Sequence, residues 1–281
     1  MKNRVSLVLS SGGARGIAHI GAIEELTASG YEIESVTGCS MGTLVGGLFC
    51  TGHLDKLKEM LKGITAKEIF KLADISVKRD SFIKGEKIIR WLESNIPDVN
   101  IEDLPIQFRC VATDIKTGRE VVFDHGSLYQ AIRSSISMPI FFRPVELGDM
   151  LLVDGGVLNP LPINLAPRQY GDLLVAVNVS AVNESGNMTP LLPSIEHKSP
   201  IGKVGKFIND NLWSGQDNMI SMMMRTTSLM IQKNTELMQQ LHPADVMVNI
   251  PMDRIGDFDY DRAAELIELG RQAMHEKLGQ L

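Results

Sequence analysis

Between positions 5 and 9 every residue but Ser6 is apolar, and the next apolar residues, Ile17, Ile20, Ala22, Ile23 and Leu26, recur three and four places apart. The first run has the look of a buried strand and the second of a helix with one apolar face. The pattern repeats. Positions 34–37 predict a second short strand running into Gly38, and the small and apolar residues of 43–50 predict a helix. A more polar helical region covers 54–95. Strand candidates follow at 108–113 and 119–123, with Lys116-Thr117-Gly118 as the turn between them. A helix is expected at 128–137 and ends at Met138-Pro139. A buried strand at 150–153 stops at Asp154, and 173–179 is a further core strand. Helical spacing resumes over 219–240, then a strand at 246–250 and a helix from 262 to the end. Strands alternating with helices in this way predict an α/β fold with a mainly parallel central sheet flanked by helices.

The texture changes over 180–218, where Asn, Ser, Gly, Pro and Lys predominate, so a loop or lid is expected there with at most a short helix at 203–212. The expected organisation is a core at 5–180, a polar loop or lid at 181–218, and a helix-strand-helix unit at 219–281 that packs on the core. No internal repeat is found.

Composition narrows the classes. With 281 residues and 44% hydrophobic content, the chain can bury a large core. A net charge of -6 gives no general attraction to nucleic acid or anionic lipid, so a nucleic-acid partner is not expected. No stretch approaches the roughly 20 apolar residues of a membrane span, and the run at 5–9 is too short for a signal peptide. A cytoplasmic protein is the expectation. Three cysteines, Cys39, Cys50 and Cys110, sit in apolar surroundings without zinc-ligand spacing, as buried reduced thiols do.

Three segments carry chemistry. Gly38-Cys39-Ser40-Met41-Gly42 fits G-x-S-x-G, in which flanking glycines let the chain turn from strand to helix and push the serine hydroxyl outward. Alone the pattern is a weak signal, but the strand-like run before it and the helix-compatible run after it match the context it needs. Ser11-Gly12-Gly13-Ala14-Arg15-Gly16 follows the first strand and opens the first helix, where backbone N–H groups can cradle an anion. A dinucleotide loop would want glycine at 11 and an acidic residue about 20 places on; Ser11 breaks the first requirement, while Glu32 or Glu34 could meet the second. Arg15 is read as a positioning or charge-balancing residue, against an exposed cation with no task. Asp154-Gly155-Gly156 follows an apolar strand at its carboxyl end, where open α/β sheets place their sites.

Taken together, these segments are similar to the patatin-like phospholipases. The resemblance also rests on Val111-Ala112-Thr113-Asp114 with Thr117-Gly118, on 131–135 through Met138-Pro139, on Phe142-Arg143-Pro144-Val145, and on Asp154-Gly155-Gly156-Val157 with Asn159-Pro160-Leu161-Pro162. It spans about residues 5–180, with a fainter echo at 244–270. It implies a three-layer sandwich and an acyl-ester hydrolase acting on phospholipid, lysophospholipid or related lipid esters. In that reading Ser40 is the nucleophile and Asp154 the general base, with Gly12, Gly13 and Ala14 supplying the oxyanion hole. Arg15, Gly16, Gly38, Gly42, Gly155 and Gly156 are supporting residues, and no metal or other cofactor is implied. Ser11 departs from the glycine many members carry.

Other readings stay open at this point. An α/β-hydrolase triad would recruit His197, His242 or His275 after the aspartate, and a phosphate-binding module would leave Ser40 structural. His19 is expected to pack within its helix, and Asp114 to order local structure. Met219, Met222, Met223, Met224 and Met230 predict a core or subunit-contact face, with a lipid-facing surface as the alternative. Lys198, Lys203 and Lys206 around Ile201, Val204 and Phe207 belong to a solvated loop, or to a transient membrane-surface contact through 198–212 that would make the protein peripheral to the membrane. A homo-oligomer is also open.

Overall fold

The computed structural model describes residues 3–63, 86–139, 142–182, 219–251 and 259–281. The expected lid, its short helix at 203–212, the lysines around 198–206 and His197 all lie outside the described residues.

Among the described residues eight strands form one sheet: β1 (Arg4–Leu9), β2 (Glu32–Cys39), β3 (Gln107–Asp114), β4 (Arg119–Phe123), β5 (Val145–Leu147), β6 (Met150–Asp154), β7 (Leu173–Ala181) and β8 (Val246–Pro251). The described helices are α1 (Ala18–Ala28), α2 (Met41–Cys50), α3 (Leu54–Gly63), α4 (Glu86–Asn95), α5 (Leu128–Ser135), α6 (Met219–Leu241) and α7 (Ala263–Leu278). The strands β3, β2, β1, β7 and β8 run parallel in that spatial order, while β4 and β6 pair antiparallel with β3 and β5 pairs antiparallel with β6. The expected mixed α/β architecture with a mainly parallel sheet flanked by helices is therefore present.

The central strands β1 and β7 read as nearly continuous apolar runs because both faces of the sheet are covered there. Alternate side chains of β1 show this: Val5, Leu7 and Leu9 enter the main core with α1, α2, α5 and α7, whereas Val8 points the other way and packs against Leu161 and Ile163. The strand β5 was not foreseen. Three residues joined to β6 by a two-residue turn with Gly148 at φ 57 give too short an alternation to register.

The register on β3 positions everything that follows. On one edge, β4 pairs with residues 110–114. On the opposite edge, β2 runs parallel and ends with Cys39 opposite Val111, while β6 runs antiparallel and ends with Asp154 opposite Ala112. The carboxyl ends of β2 and β6 thus approach each other head-on along a single strand edge.

Helix α6 corrects the core half of one expectation and leaves the subunit-contact half open. Met222, Met223 and Met230 are exposed instead of buried, because the 228, 232 and 235 positions form the inward face and carry Ser228, Gln232 and Thr235.

At the crossing of α1 and α7 two glycines let the backbones touch. A Cβ on Gly21 would lie 1.7 Å from the Ile267 carbonyl oxygen, and one on Gly270 would lie 1.8 Å from that of Ala18. The obstacles are backbone atoms, so the helices themselves must separate. Gly21→Ala and Gly270→Ala are each expected to lower the unfolding free energy by about 2 kcal/mol, read as a lower urea midpoint at unchanged slope.

Candidate active site

Ser40 sits between the last residue of β2 and the first of α2, at φ 53 and ψ -120. Among the described residues it is the only non-glycine with positive φ. Such a conformation costs about 1–3 kcal/mol and persists only where the surroundings impose it. The surroundings here are the flanking glycines. A Cβ on Gly38 would come 2.7 Å from the Gly42 carbonyl and the Thr43 nitrogen, and one on Gly42 would come 2.4 Å from the Leu9 carbonyl oxygen. The first turn of α2 therefore lies directly on its own strand and on the end of β1, leaving only the serine side chain free to project. Its N–H donates to Ser135 Oγ (2.9 Å), which shares a further hydrogen bond with Thr43 Oγ1 (2.7 Å).

Asp154 closes the pair. Its Oδ2 accepts from Ser40 Oγ at 2.5 Å. Its Oδ1 accepts from the Gly156 N–H at 2.8 Å and weakly from Cys39 Sγ at 3.9 Å. Its own N–H donates to the Ser137 carbonyl (2.9 Å). Burial dominates the electrostatics: desolvation pushes the carboxyl from 3.8 up to about 6, against the donors from Ser40, Gly156 and Cys39, which favour the charged form.

A cleft opens over this pair. Its wall is largely apolar, with Met41, Leu44, Ile136, Met138, Phe142 and Val157, and its polar points include Ser11, Arg15 and Ser180. Arg15 is 5% exposed, so it belongs to the wall and is not a solvated cation. Gly12 and Gly13 also line the cleft, at the start of the 3₁₀ turn Gly13–Ile17 that leads into α1. There the Arg15 N–H bonds back to the Gly12 carbonyl (3.1 Å), while the N–H groups of Gly13 and Ala14 precede the first hydrogen bond of the turn. Ala14 itself is buried behind the lining, and Gly16 packs against Met41. Gly155 lies on the Val111 carbonyl and Gly156 beside Asp154 Oδ1 and Ser11 Oγ.

Among the described residues no histidine lines the cleft. His19 is fully buried against the Ser10 carbonyl (2.9 Å), and burial pushes it down to about 4, so it is neutral. His275 is exposed and pairs with Glu25, and His242 follows the carboxyl end of α6. Asp114 accepts from the Lys116 and Leu151 N–H groups and from Thr117 Oγ1, which ties the β3–β4 turn to β6. All three cysteines are buried and free.

Residue-level reading of the sequence missed Ser135, Ser137 and the wall that α6 contributes through Thr227, Ser228 and Ile231. Ser135 belongs to a stretch that carried the resemblance, but nothing local assigns it to the Ser40 amide. The contact joins positions 95 residues apart.

An α/β sheet that presses a strained serine against a buried aspartate defines the class of protein. The family model described as patatin-like phospholipase matches residues 7–167, and the chain belongs to that family. An uncharacterized NTE family protein of Mycobacterium tuberculosis is 40% identical over 192 residues, covering 68% of this chain and 53% of that protein. The neuropathy target esterase sws of Drosophila melanogaster is 32% identical over 190 residues, 65% of this chain and 13% of that protein. The chain thus spans about half the length, or less, of the curated relatives it matches. In structure it is similar to VipD from Legionella pneumophila, with a TM-score of 0.60 at 13% identity over 99% of this chain and 67% of that one. Among the described residues no helix is long and apolar enough to cross a membrane.

The raised carboxyl predicts a pH signature in stability. The folded state binds the Asp154 proton more tightly than the unfolded chain does. Stability from this group is therefore full below about pH 4 and is lost as pH rises through about 6. Asp154→Asn has no such loss. In urea titrations from pH 4 to pH 8 the variant should gain about 2.4 kcal/mol relative to the parent protein, with the gap flat above pH 7.

Proposed function

We propose that the chain is a serine acyl-ester hydrolase acting on lipid esters, with Ser40 as nucleophile and Asp154 as general base. The single observation that carries this is the 2.5 Å contact from Ser40 Oγ to Asp154 Oδ2 at the strained elbow.

A serine hydroxyl attacks only when a base takes its proton, and an ordinary carboxylate is too weak a base to help much. Burial raises Asp154 to about 6, which strengthens it as a base while leaving it ionised at neutral pH. As Ser40 Oγ adds to the ester carbonyl, its proton passes to Asp154 Oδ2 and the carbonyl oxygen becomes an oxyanion. In this reading the backbone N–H groups of the Gly12-Gly13-Ala14 turn receive that charge, which is supported by Gly12 and Gly13 lining the cleft, and Arg15 in the same wall adds positive potential. The tetrahedral adduct collapses, the C–O bond to the alcohol breaks, and the proton on Asp154 goes to the leaving oxygen. A water molecule then gives its proton to Asp154 and attacks the acyl-Ser40 ester. The carboxylic acid departs and the serine is restored.

The lipid character of the substrate is supported by the apolar wall around Leu44, Ile136 and Phe142, which suits an acyl chain. It is supported too by the patatin-like phospholipase match and by the esterase named among the relatives.

A fluorophosphonate probe should label the peptide that contains Ser40. Ser40→Ala and Asp154→Asn should each lower kcat/KM for a p-nitrophenyl ester by a factor of about 10³ or more, with circular dichroism unchanged. Appreciable turnover by Ser40→Ala would end the proposal. For the parent protein, kcat/KM should climb with pH to a plateau, with its midpoint near 6, because only the ionised carboxylate accepts the serine proton.

A further inference from the structure

Helix α6 is turned inside out. Ser228, Gln232 and Thr235 are buried, while Met223, Met230 and Leu237 on the opposite face are exposed. Burying a row of polar side chains is unfavourable unless they find partners. Ser228 lines the catalytic cleft, while Gln232 and Thr235 line a second pocket at the carboxyl ends of β7 and β8, together with Asn178, Ser180, Gln239 and Asn249. Ser180 lines both this pocket and the catalytic cleft, and the inward face of α6 runs from one to the other. Between Ser228 at the cleft and Thr235 at the pocket the helix rises about 10 Å. That is comparable to the reach of a glycerol phosphodiester from its ester carbonyl to its headgroup.

The chemistry of the second pocket is distinctive. Asn178 Nδ2 donates to Asn249 Oδ1 (3.1 Å), Asn178 Oδ1 accepts from the Ser180 N–H (2.9 Å), and Thr235 Oγ1 donates to the Ile231 carbonyl (2.8 Å). These bonds hold the side chains in place without exhausting them, since an amide or hydroxyl has capacity beyond one bond. No lysine, arginine or aromatic side chain is among the described lining residues, and the one acidic residue, Glu236, is paired with Lys233 at 2.8 Å. A phosphate would want cations, and a quaternary ammonium would want aromatic faces. Neutral groups that donate and accept at once are complementary to hydroxyls.

We propose that this pocket is a headgroup subsite of the same active site and takes a polyhydroxyl group, such as an inositol, glycerol or sugar, on the alcohol side of the scissile ester. The inference rests on Ser40 being the nucleophile.

Oleoyl lysophosphatidylinositol and oleoyl lysophosphatidylcholine share chain, ester and phosphodiester and differ in headgroup. The protein should favour the inositol lipid by about tenfold or more in kcat/KM, and Gln239→Leu with Asn249→Leu should bring that ratio close to one, chiefly through KM. Both substitutions fall at positions that are not buried. Equal rates in the parent protein, or a ratio intact in the double variant, would overturn the subsite. A second arm does not depend on turnover. Calorimetric titration of Ser40→Ala should give saturable binding of glycerophosphoinositol, at least about tenfold tighter than that of glycerophosphocholine or free myo-inositol. Indistinguishable binding of the two diesters removes the subsite, and free inositol binding as tightly as its diester assigns the pocket to a soluble polyol instead. Failure to turn over any ester, p-nitrophenyl butyrate included, would refute the hydrolase reading while the titration still decides what the pocket holds.

Discussion

Two strand ends compete for one edge of β3, and their meeting organises the molecule. The parallel strand β2 uses the edge up to Val111 and the antiparallel strand β6 uses it from Ala112 onward, so neither can extend further. Each chain has to leave the sheet at the same point. β2 does so by turning through Ser40 into α2, and β6 by turning through Asp154 into the short 3₁₀ turn Gly155–Val157. The hydrogen bond between the two side chains follows from two backbone registers, which hold far more firmly than any pair of flexible side chains could.

This arrangement carries an energetic cost that the surrounding fold offsets. A left-handed serine costs about 1–3 kcal/mol, and raising the carboxyl to about 6 costs about 3 kcal/mol at neutral pH. Against this stand a continuous apolar core shared by the sheet and helices, and specific donors and acceptors at the strained points. The Ser135 hydroxyl takes the Ser40 N–H, the Gly156 N–H meets the outer carboxylate oxygen, and the Ser137 carbonyl receives the Asp154 N–H. The Asp154 carboxyl is thus held desolvated yet oriented by fixed donors.

Legibility from the sequence differed from element to element. The strand β4 falls on its expected residues, 119–123, because alternation and a Lys-Thr-Gly turn are local signals. β2 extends two residues before and two beyond its expected range, since Glu32 and Gly38 gain their pairing from β1 and β3 and not from their own character. The methionine-rich α6 differed in another way. Its helical spacing is a local signal, but which face turns inward is set by what the helix packs on, including the short turns at Gly155–Val157 and Ile163–Leu165, and those come from elsewhere in the chain.

On its own, the chain's residue order determined which segments become strands and helices, and which short stretches can make an elbow. Periodicity and the steric demands of Gly38 and Gly42 act within a few residues. It also singled out Ser40, Asp154 and the glycine turn as residues of the needed chemical types. Only the tertiary structure decided that Ser40 and Asp154, 114 residues apart, share a hydrogen bond, because that depends on β6 returning antiparallel to meet β2. The upward shift of the Asp154 carboxyl was likewise decided there: a carboxyl group is desolvated by the atoms packed around it, and those come from distant parts of the chain.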